Sequence, residues 1–201
     1  MNPDPYYSYS HHNGQRILSN SLLSSELGKL EGLPEMDPKK AENYRFGSLF
    51  HQALLEPAMK VLDTAADQDY RLVSQMIKSC YKELGVNFFF GKQIKKEHAY
   101  IWRMYGKWWK CKIDHRIGSV VNDFKTTAAT SQEEFERNAK LFNYDRQCFI
   151  YMQGTKTSEM NLIGVGKSAP HELYFMQVTR GDTIYESGRE KTEQALTILK
   201  L

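Results

Sequence analysis

The residues of this chain best placed for chemistry lie on one short stretch, Lys112-Ile113-Asp114-His115-Arg116-Ile117-Gly118-Ser119-Val120-Val121-Asn122-Asp123-Phe124-Lys125-Thr126-Thr127. With Gly118-Ser119 as a two-residue turn, glycine supplies the positive φ that the first central position of a type II′ turn needs, and Ile117 pairs with Val120. Counting back, Asp114 faces Asp123. Opposed side chains in an antiparallel pair sit about 4.5–5.5 Å apart at Cβ, where like charges destabilise the sheet. A hard divalent cation such as Mg²⁺ offsets that repulsion, because it takes oxygen ligands from one or two carboxylates. Lys125, two residues beyond Asp123, projects from the same face of the strand. Two carboxylates, an ammonium and a metal ion suit the attack of water on a phosphodiester. A solvated charged face would show the same spacing. The apolar Ile113, Ile117, Val120 and Phe124 alternate onto the opposite face, so the hairpin is expected to pack that face on a core while its charges look into a cleft.

The elements that position this hairpin are legible as changes of period. Residues to about Arg16 show neither period and are expected to form a flexible arm. A short helix begins near Ser19 to Ser21, with Leu22, Leu23 and Leu27 on one face, and Gly32, Pro34 and Pro38 mark loop. A second helix runs from Asn43 to Leu55, with an apolar stripe of Phe46, Leu49, Phe50, Ala53 and Leu54, ended by Pro57. A third repeats Leu72, Val73, Met76, Ile77, Cys80, Tyr81 and Leu84 at three and four, with Asp69 as cap and Gly85 as terminator.

Strands follow at His98 to Met104 and Trp108 to Ile117, joined by a turn at Gly106-Lys107, and lead into the hairpin. Ser131 to Glu134 has the pattern of a capping box, opening a helix with Phe135, Ala139 and Phe142 on its apolar side. Asn143 caps another helix through Met152. Leu162 to Val165 and Glu172 to Thr179 are strands, and Thr183 to Leu199 closes the chain as a helix. Gly164-Val-Gly166-Lys167-Ser168 imitates part of a phosphate-binding loop. The full pattern would need glycine at position 161, which is Asn161, and a strand instead of a helix follows.

The 201 residues suit one domain, 1–201, with a single well-buried core. Composition is that of an ordinary globular protein, 41% hydrophobic and 25% charged. No apolar run approaches the roughly 20 residues of a membrane helix, and the polar start is no secretory signal, so the expectation is an intracellular, cytoplasmic protein with no membrane partner. Cys80, Cys111 and Cys148 are odd in number and widely spaced. They read as reduced, buried thiols, and an iron–sulfur cluster, which usually needs four thiolates, is not expected. The net charge of +3 is small, but nine basic residues against three acidic ones lie between Lys92 and Lys125. Interleaved with Tyr100, Trp102, Tyr105, Trp108 and Trp109, they suit either a groove that follows a nucleic-acid backbone or a strand edge protected by lysines.

Gly47-Ser-Leu-Phe-His51, Ile113-Asp114, Asp123-Phe124-Lys125 and Gln147-Cys-Phe-Ile-Tyr151 stand in an order that resembles the PD-(D/E)XK nuclease superfamily. Within it the resemblance is to the RecB-like branch, which includes phage-type recombination exonucleases of the RecE and lambda-exonuclease kind. It implies an α/β restriction-endonuclease-like core, with a mixed, mainly antiparallel central sheet flanked by helices. It further implies that Asp114 and Asp123 bind Mg²⁺ or Mn²⁺, that Lys125 orients or activates water and stabilises developing charge, and that His51 assists metal or phosphate binding. Gln147 and Tyr151, four apart on one helical face, would steady the site and the DNA backbone. Glu97 loosely matches an extra acidic ligand on the preceding strand, and Ile113 stands where the superfamily's proline would be. The implied activity is metal-dependent exonuclease cleavage at double-stranded DNA ends, 5′-to-3′, in phage or bacterial recombination or repair. A single-strand annealing protein and a homo-oligomeric ring are the implied partners. The same residues would serve a structure-specific or nicking endonuclease, and the fold alone would serve a non-catalytic nucleic-acid-binding module.

Overall fold

The computed structural model describes residues 11–12, 14–33, 37–57 and 67–201. A mixed sheet of seven strands is covered by helices on both faces. Strands β1 (His11–His12) and β2 (Gln15–Leu18) are followed by helices α1 (Asn20–Leu30), α2 (Pro38–Leu55), α3 (Asp67–Leu84) and the single turn α4 (Val86–Phe89). Then come β3 (Ile94–Met104), β4 (Lys107–Ile117), β5 (Val120–Thr127), α5 (Gln132–Leu141), α6 (Tyr144–Thr155), β6 (Glu159–Gly166), β7 (Leu173–Thr179) and α7 (Thr183–Ile198). The strand order is β1-β2-β4-β5-β6-β7, with β3 also on β4. The β2–β4 and β5–β6 pairs are parallel and the other four antiparallel, which is the mixed, mainly antiparallel sheet the sequence implied.

Local chemistry sets the element ends. Ser19 caps α1 by accepting from Leu22 N, and Asp37 caps α2 by accepting from Lys40 N. Pro38 occupies the first turn of α2, where its missing N–H costs nothing. The helix therefore starts five residues before the Asn43 expected from the apolar stripe alone. The expected flexible arm is likewise corrected in part, since His11 and His12 pair with Arg16 and Gln15, and β2 runs on beside β4. Residues 1–10 and Pro34 lie outside the described residues. Asp69 is inside α3, not its cap. The turn between β3 and β4 is Tyr105-Gly106, one residue earlier than expected, with φ of 52° and 71°, the two positive values of a type I′ turn. Asn143 caps nothing with its side chain; it makes the left-handed link into α6 at φ 56°.

Two cores result. One holds Trp109, Cys111, Ile113, Val121, Met160 and Leu162 of the sheet against α1, α5, α6 and α7. The other holds Phe124, Ile163 and Val165 against α2, α3 and Phe89. The three cysteines are free and buried. Among the described residues no helix is long and apolar enough to cross a membrane. Gly164, in the phosphate-loop imitation, is a packing glycine: a Cβ there would stand 2.5 Å from the Phe135 ring.

Gly188 answers its apparent misplacement in α7 in the same way. A Cβ there would stand 2.2 Å from the Asp145 carbonyl oxygen, so the glycine lets α7 lie against the first turn of α6. Asp145 is buried at that contact and accepts from Ser187 Oγ and Lys191 Nζ. A second buried polar chain crosses the other core. His115 Nε2 donates to the Phe88 carbonyl, which leaves Nδ1 to accept from Asn122 Nδ2, while Asn122 Oδ1 accepts from Asn161 Nδ2. That arrangement requires a neutral imidazole. Burial beside Phe88 accordingly pulls His115 down to about 4.

Two outcomes follow. Gly188→Ala adds helix propensity but must push a backbone aside, and should lower the free energy of unfolding by about 1–3 kcal/mol in chemical denaturation. For His115 the folded value lies below the ordinary 6.5. The unfolded chain therefore takes up the proton first, and stability present above pH 6.5 is lost as pH falls toward 4. Denaturation midpoints across that window should fall less steeply in His115→Gln, which keeps a donor and an acceptor but does not titrate.

Candidate active site

The hairpin turn has the expected register, with Ile117 on Val120, Arg116 on Val121 and His115 on Asn122, and Gly118 at φ 55°. There the ladder stops. Beyond it β4 stays with β3 and β5 stays with β6, so the sheet forks. The next bonded pair would have joined Phe124 to Ile113; instead the Phe124 N–H donates to Asp114 Oδ2 at 2.7 Å. The fork also divides the apolar set expected on one face, Ile113 entering one core and Phe124 the other. Asp114 and Asp123 consequently come from strands that have parted, not from a continuous ladder.

Strand β4 loses its alternation at the same point. Ile113, Asp114 and His115 are buried in succession. Opposite Asp114 the β3–β4 ladder skips Glu97, whose φ is 47°. That left-handed backbone is strained for a non-glycine residue. It sets the Glu97 carboxylate among the site groups, where Lys112 Nζ meets it at 2.5 Å. From α2, His51 Nδ1 stands 3.4 Å from Asp114 Oδ1. Ligating atoms of His51, Glu97 and Asp114 all lie within 4.8 Å of one another.

Asp123 belongs to the other branch of the fork. Lys125 Nζ lies 2.5 Å from its Oδ2, and Gln147 Nε2 of α6 donates to its Oδ1 at 2.7 Å. The buried Oδ2 has no aligned hydrogen-bond donor among the described residues, leaving it acceptor capacity beside the ammonium. The Lys125 ammonium also sits over the Tyr144 ring, 5.0 Å from its centroid. Tyr151, one turn beyond Gln147, packs half-buried on the core that α6 covers.

Burial pushes the Asp123 carboxyl up to about 6, and the nearby Asp114 charge adds to that against the pull of Lys125. Burial opposes the charge on Lys125, but Asp123 outweighs it and holds the ammonium above its ordinary value. Burial also opposes the charges on His51 and Asp114; their mutual attraction wins, raising the imidazole and lowering the carboxyl. Glu97 is raised by burial and by Asp114, against Lys112. Of the sequence-selected residues, His51, Glu97 and Asp114 thus form one group, and Asp123, Lys125 and Gln147 form an adjoining one. Lys112 and Tyr144 were missed, as neither carries a motif; Lys112 sits two residues before Asp114 on an alternating strand, the one hint available.

The aromatic groove, one of the two readings of β3 and β4, does not form as a unit. Trp109 is fully buried and donates to the Met104 carbonyl, and Tyr100 and Trp102 pack on the α6 side of the sheet, because strand alternation turns these rings inward. Phe142, expected on the buried stripe of α5, caps that helix and is 62% exposed.

A comparison with curated proteins gives no match. Among solved structures, a candidate exonuclease from Eubacterium rectale superposes with a TM-score of 0.70 at 16% identity, over 96% of this chain and 84% of that one, and shares the fold. A phage-related exonuclease from Haemophilus somnus 129PT has a TM-score of 0.47 at 12% identity, over 96% and 95% of the two chains. An alkaline exonuclease from Laribacter hongkongensis has 0.46 at 13%, over 92% and 88%. We rest nothing on these two more distant likenesses. The family described as a PDDEXK-like domain of unknown function (DUF3799) matches residues 22–200, a span holding His51, Glu97, Asp114, Asp123, Lys125, Gln147 and Tyr151, and the chain belongs to that family.

Proposed function

We propose that this chain is a metal-dependent deoxyribonuclease that hydrolyses phosphodiester bonds at duplex DNA ends. The observation that carries the proposal is the Asp123–Lys125 pair, held by Gln147, beside the His51–Glu97–Asp114 group at the fork of the sheet. Resemblance to the RecB-like branch extends it to 5′-to-3′ degradation in phage or bacterial recombination or repair, with a single-strand annealing partner and a ring of like chains. The name of the candidate exonuclease that shares the fold agrees with this reading.

The donor set fits Mg²⁺ or Mn²⁺. Two carboxylates and a histidine converge within 4.8 Å, and Asp123 adds a buried oxygen with acceptor capacity to spare. His51, Glu97, Asp114 and Asp123 would hold the ion, which would polarise the scissile phosphate and lower the pKa of water. The other steps belong to the chain itself. Lys125, kept charged by Asp123, is a cation and hydrogen-bond donor instead of a base, suited to the negative charge that develops on the phosphoryl oxygens. Gln147 fixes the Asp123 carboxylate, so that the oxygen facing Lys125 keeps its orientation. Water gives up a proton to solvent as it forms the new bond to phosphorus and the bond to the leaving oxygen breaks, and that oxygen takes a proton from solvent to depart as a hydroxyl.

Digestion of linear and closed circular duplex DNA, with Mg²⁺, with Mn²⁺ and with chelator, tests the reading. Linear DNA should disappear only with metal, and the circle should survive. Asp123→Asn and Lys125→Met each leave the partner's charge buried without its counterion and should lower the melting temperature, whereas the double variant removes both charges at similar volume and should melt near the parent; all three should slow cleavage at least ~100-fold. A circle cut as fast as the linear form would make this an endonuclease, and folded variants that cleave at the parental rate would overturn the site.

A further inference from the structure

Beside Lys125 stand side chains that the chemistry just described does not use. On helix α2, Tyr44 and Gly47 lie within ~60° of arc of the proposed ligand His51 at 3.6 residues per turn and so share its face. Tyr44 is 58% exposed. Gly47 is conspicuous in the middle of a helix, where glycine costs about 1 kcal/mol relative to alanine. Packing gives no reason for it, since a Cβ at 47 would meet nothing within 4 Å. Gly188 and Gly164 are each excused by a neighbour that a Cβ would strike; Gly47 instead leaves bare backbone facing open space, one turn from His51.

At the junction of α5 and α6, Leu141 and Phe142 are 68% and 62% exposed. The Phe142 ring lies 5.9 Å from that of Tyr144, whose face is occupied by the Lys125 ammonium. The left-handed residue Asn143 links the two rings and turns the chain between the helices. Burial raises the Tyr144 hydroxyl against the pull of Lys125, and Asp123 and, least of all, Tyr44 add to the rise. Aromatic rings thus approach the cleft from two helices, next to a fixed cation.

We propose that the Tyr44–Gly47–His51 face of α2 and the Phe142–Tyr144 pair form the two walls of a nucleotide subsite, in which the aromatic rings stack on an unpaired base while the sugar–phosphate passes over the bare backbone at Gly47. The inference rests on the nuclease reading for its occupant and adds to it which part of the strand is gripped. The occupant is a single nucleic-acid strand because the site offers what such a strand needs: exposed π-faces, a cation for the phosphate and room for a backbone to come close. Base stacking is sequence-tolerant, so the subsite takes any base and requires only that it be unpaired.

Fluorescence anisotropy in Ca²⁺ would compare a labelled single-stranded oligonucleotide with the same strand carrying abasic sites. Stacking worth about 1–3 kcal/mol per base corresponds to roughly 5- to 150-fold in affinity. Phe142→Ala should lose that factor on the intact strand and nothing on the abasic one. Gly47→Ala should melt about 2–4 °C higher, as a helix alanine in open space, yet bind both strands more weakly. Equal losses on both strands in Phe142→Ala, or undiminished binding by Gly47→Ala, would overturn the subsite. A parent protein that cleaves linear DNA while Phe142→Ala binds normally would sink the subsite and leave the nuclease. One that never cleaves but binds in this base-dependent way would sink the nuclease and leave the subsite.

Discussion

One hydrogen bond organises the centre of this molecule: the Phe124 amide donates to the Asp114 carboxylate where a ladder bond to Ile113 would have stood. A backbone N–H in the interior must have a partner, and a charged acceptor is a strong one. The diversion satisfies the amide, holds the carboxylate and lets β4 and β5 part. Each strand remains paired on its other edge, β4 along β3 and β5 along β6, so the fork opens without releasing either. The opening is what lets α2 bring His51 from one layer and α6 bring Gln147 from the other to neighbouring carboxylates.

What was legible in the residues follows from how local each determinant is. The Gly118-Ser119 turn fixed the register to His115 on Asn122, because a two-residue turn leaves no freedom. The same rule carried one step too far, since nothing in the pattern of β4 says that its ladder ends before Asp114. Side-chain capture of an amide is a tertiary event. Proline at 38 was read as a break when it was a beginning, an ambiguity that the Asp37 cap resolves. The tryptophans of β3 and β4 were read as a surface when Trp109 is core, since a basic strand and a core strand both alternate.

The site residues divide the same way. Asp114, Asp123 and Lys125 follow from strand spacing, and His51, Gln147 and Tyr151 from an ordered pattern along the chain. Glu97 was only loosely placed, because its approach depends on a positive φ that a glutamate does not advertise. Tyr144 was invisible: its place over Lys125 depends on the left-handed Asn143 between two helices, which sequence suggests as a cap instead.

The buried Asp123–Lys125 pair is a poor way to stabilise a fold. Taking two ions from water costs several kcal/mol each, and an apolar pair of equal volume often does as well or better. Here burial leaves the acid strained, with its carboxyl pushed up to about 6 despite an ammonium at 2.5 Å. A like charge at Asp114 contributes to that rise. Lys125 and Gln147 therefore restrain a carboxylate cluster that is electrostatically unfavourable without further positive charge. A divalent cation would supply that charge and relieve Asp123, so the burial that raises this carboxyl would also strengthen its attraction for a metal ion. Stability given up at the fork would be recovered on binding such an ion, as expected of a site kept for chemistry.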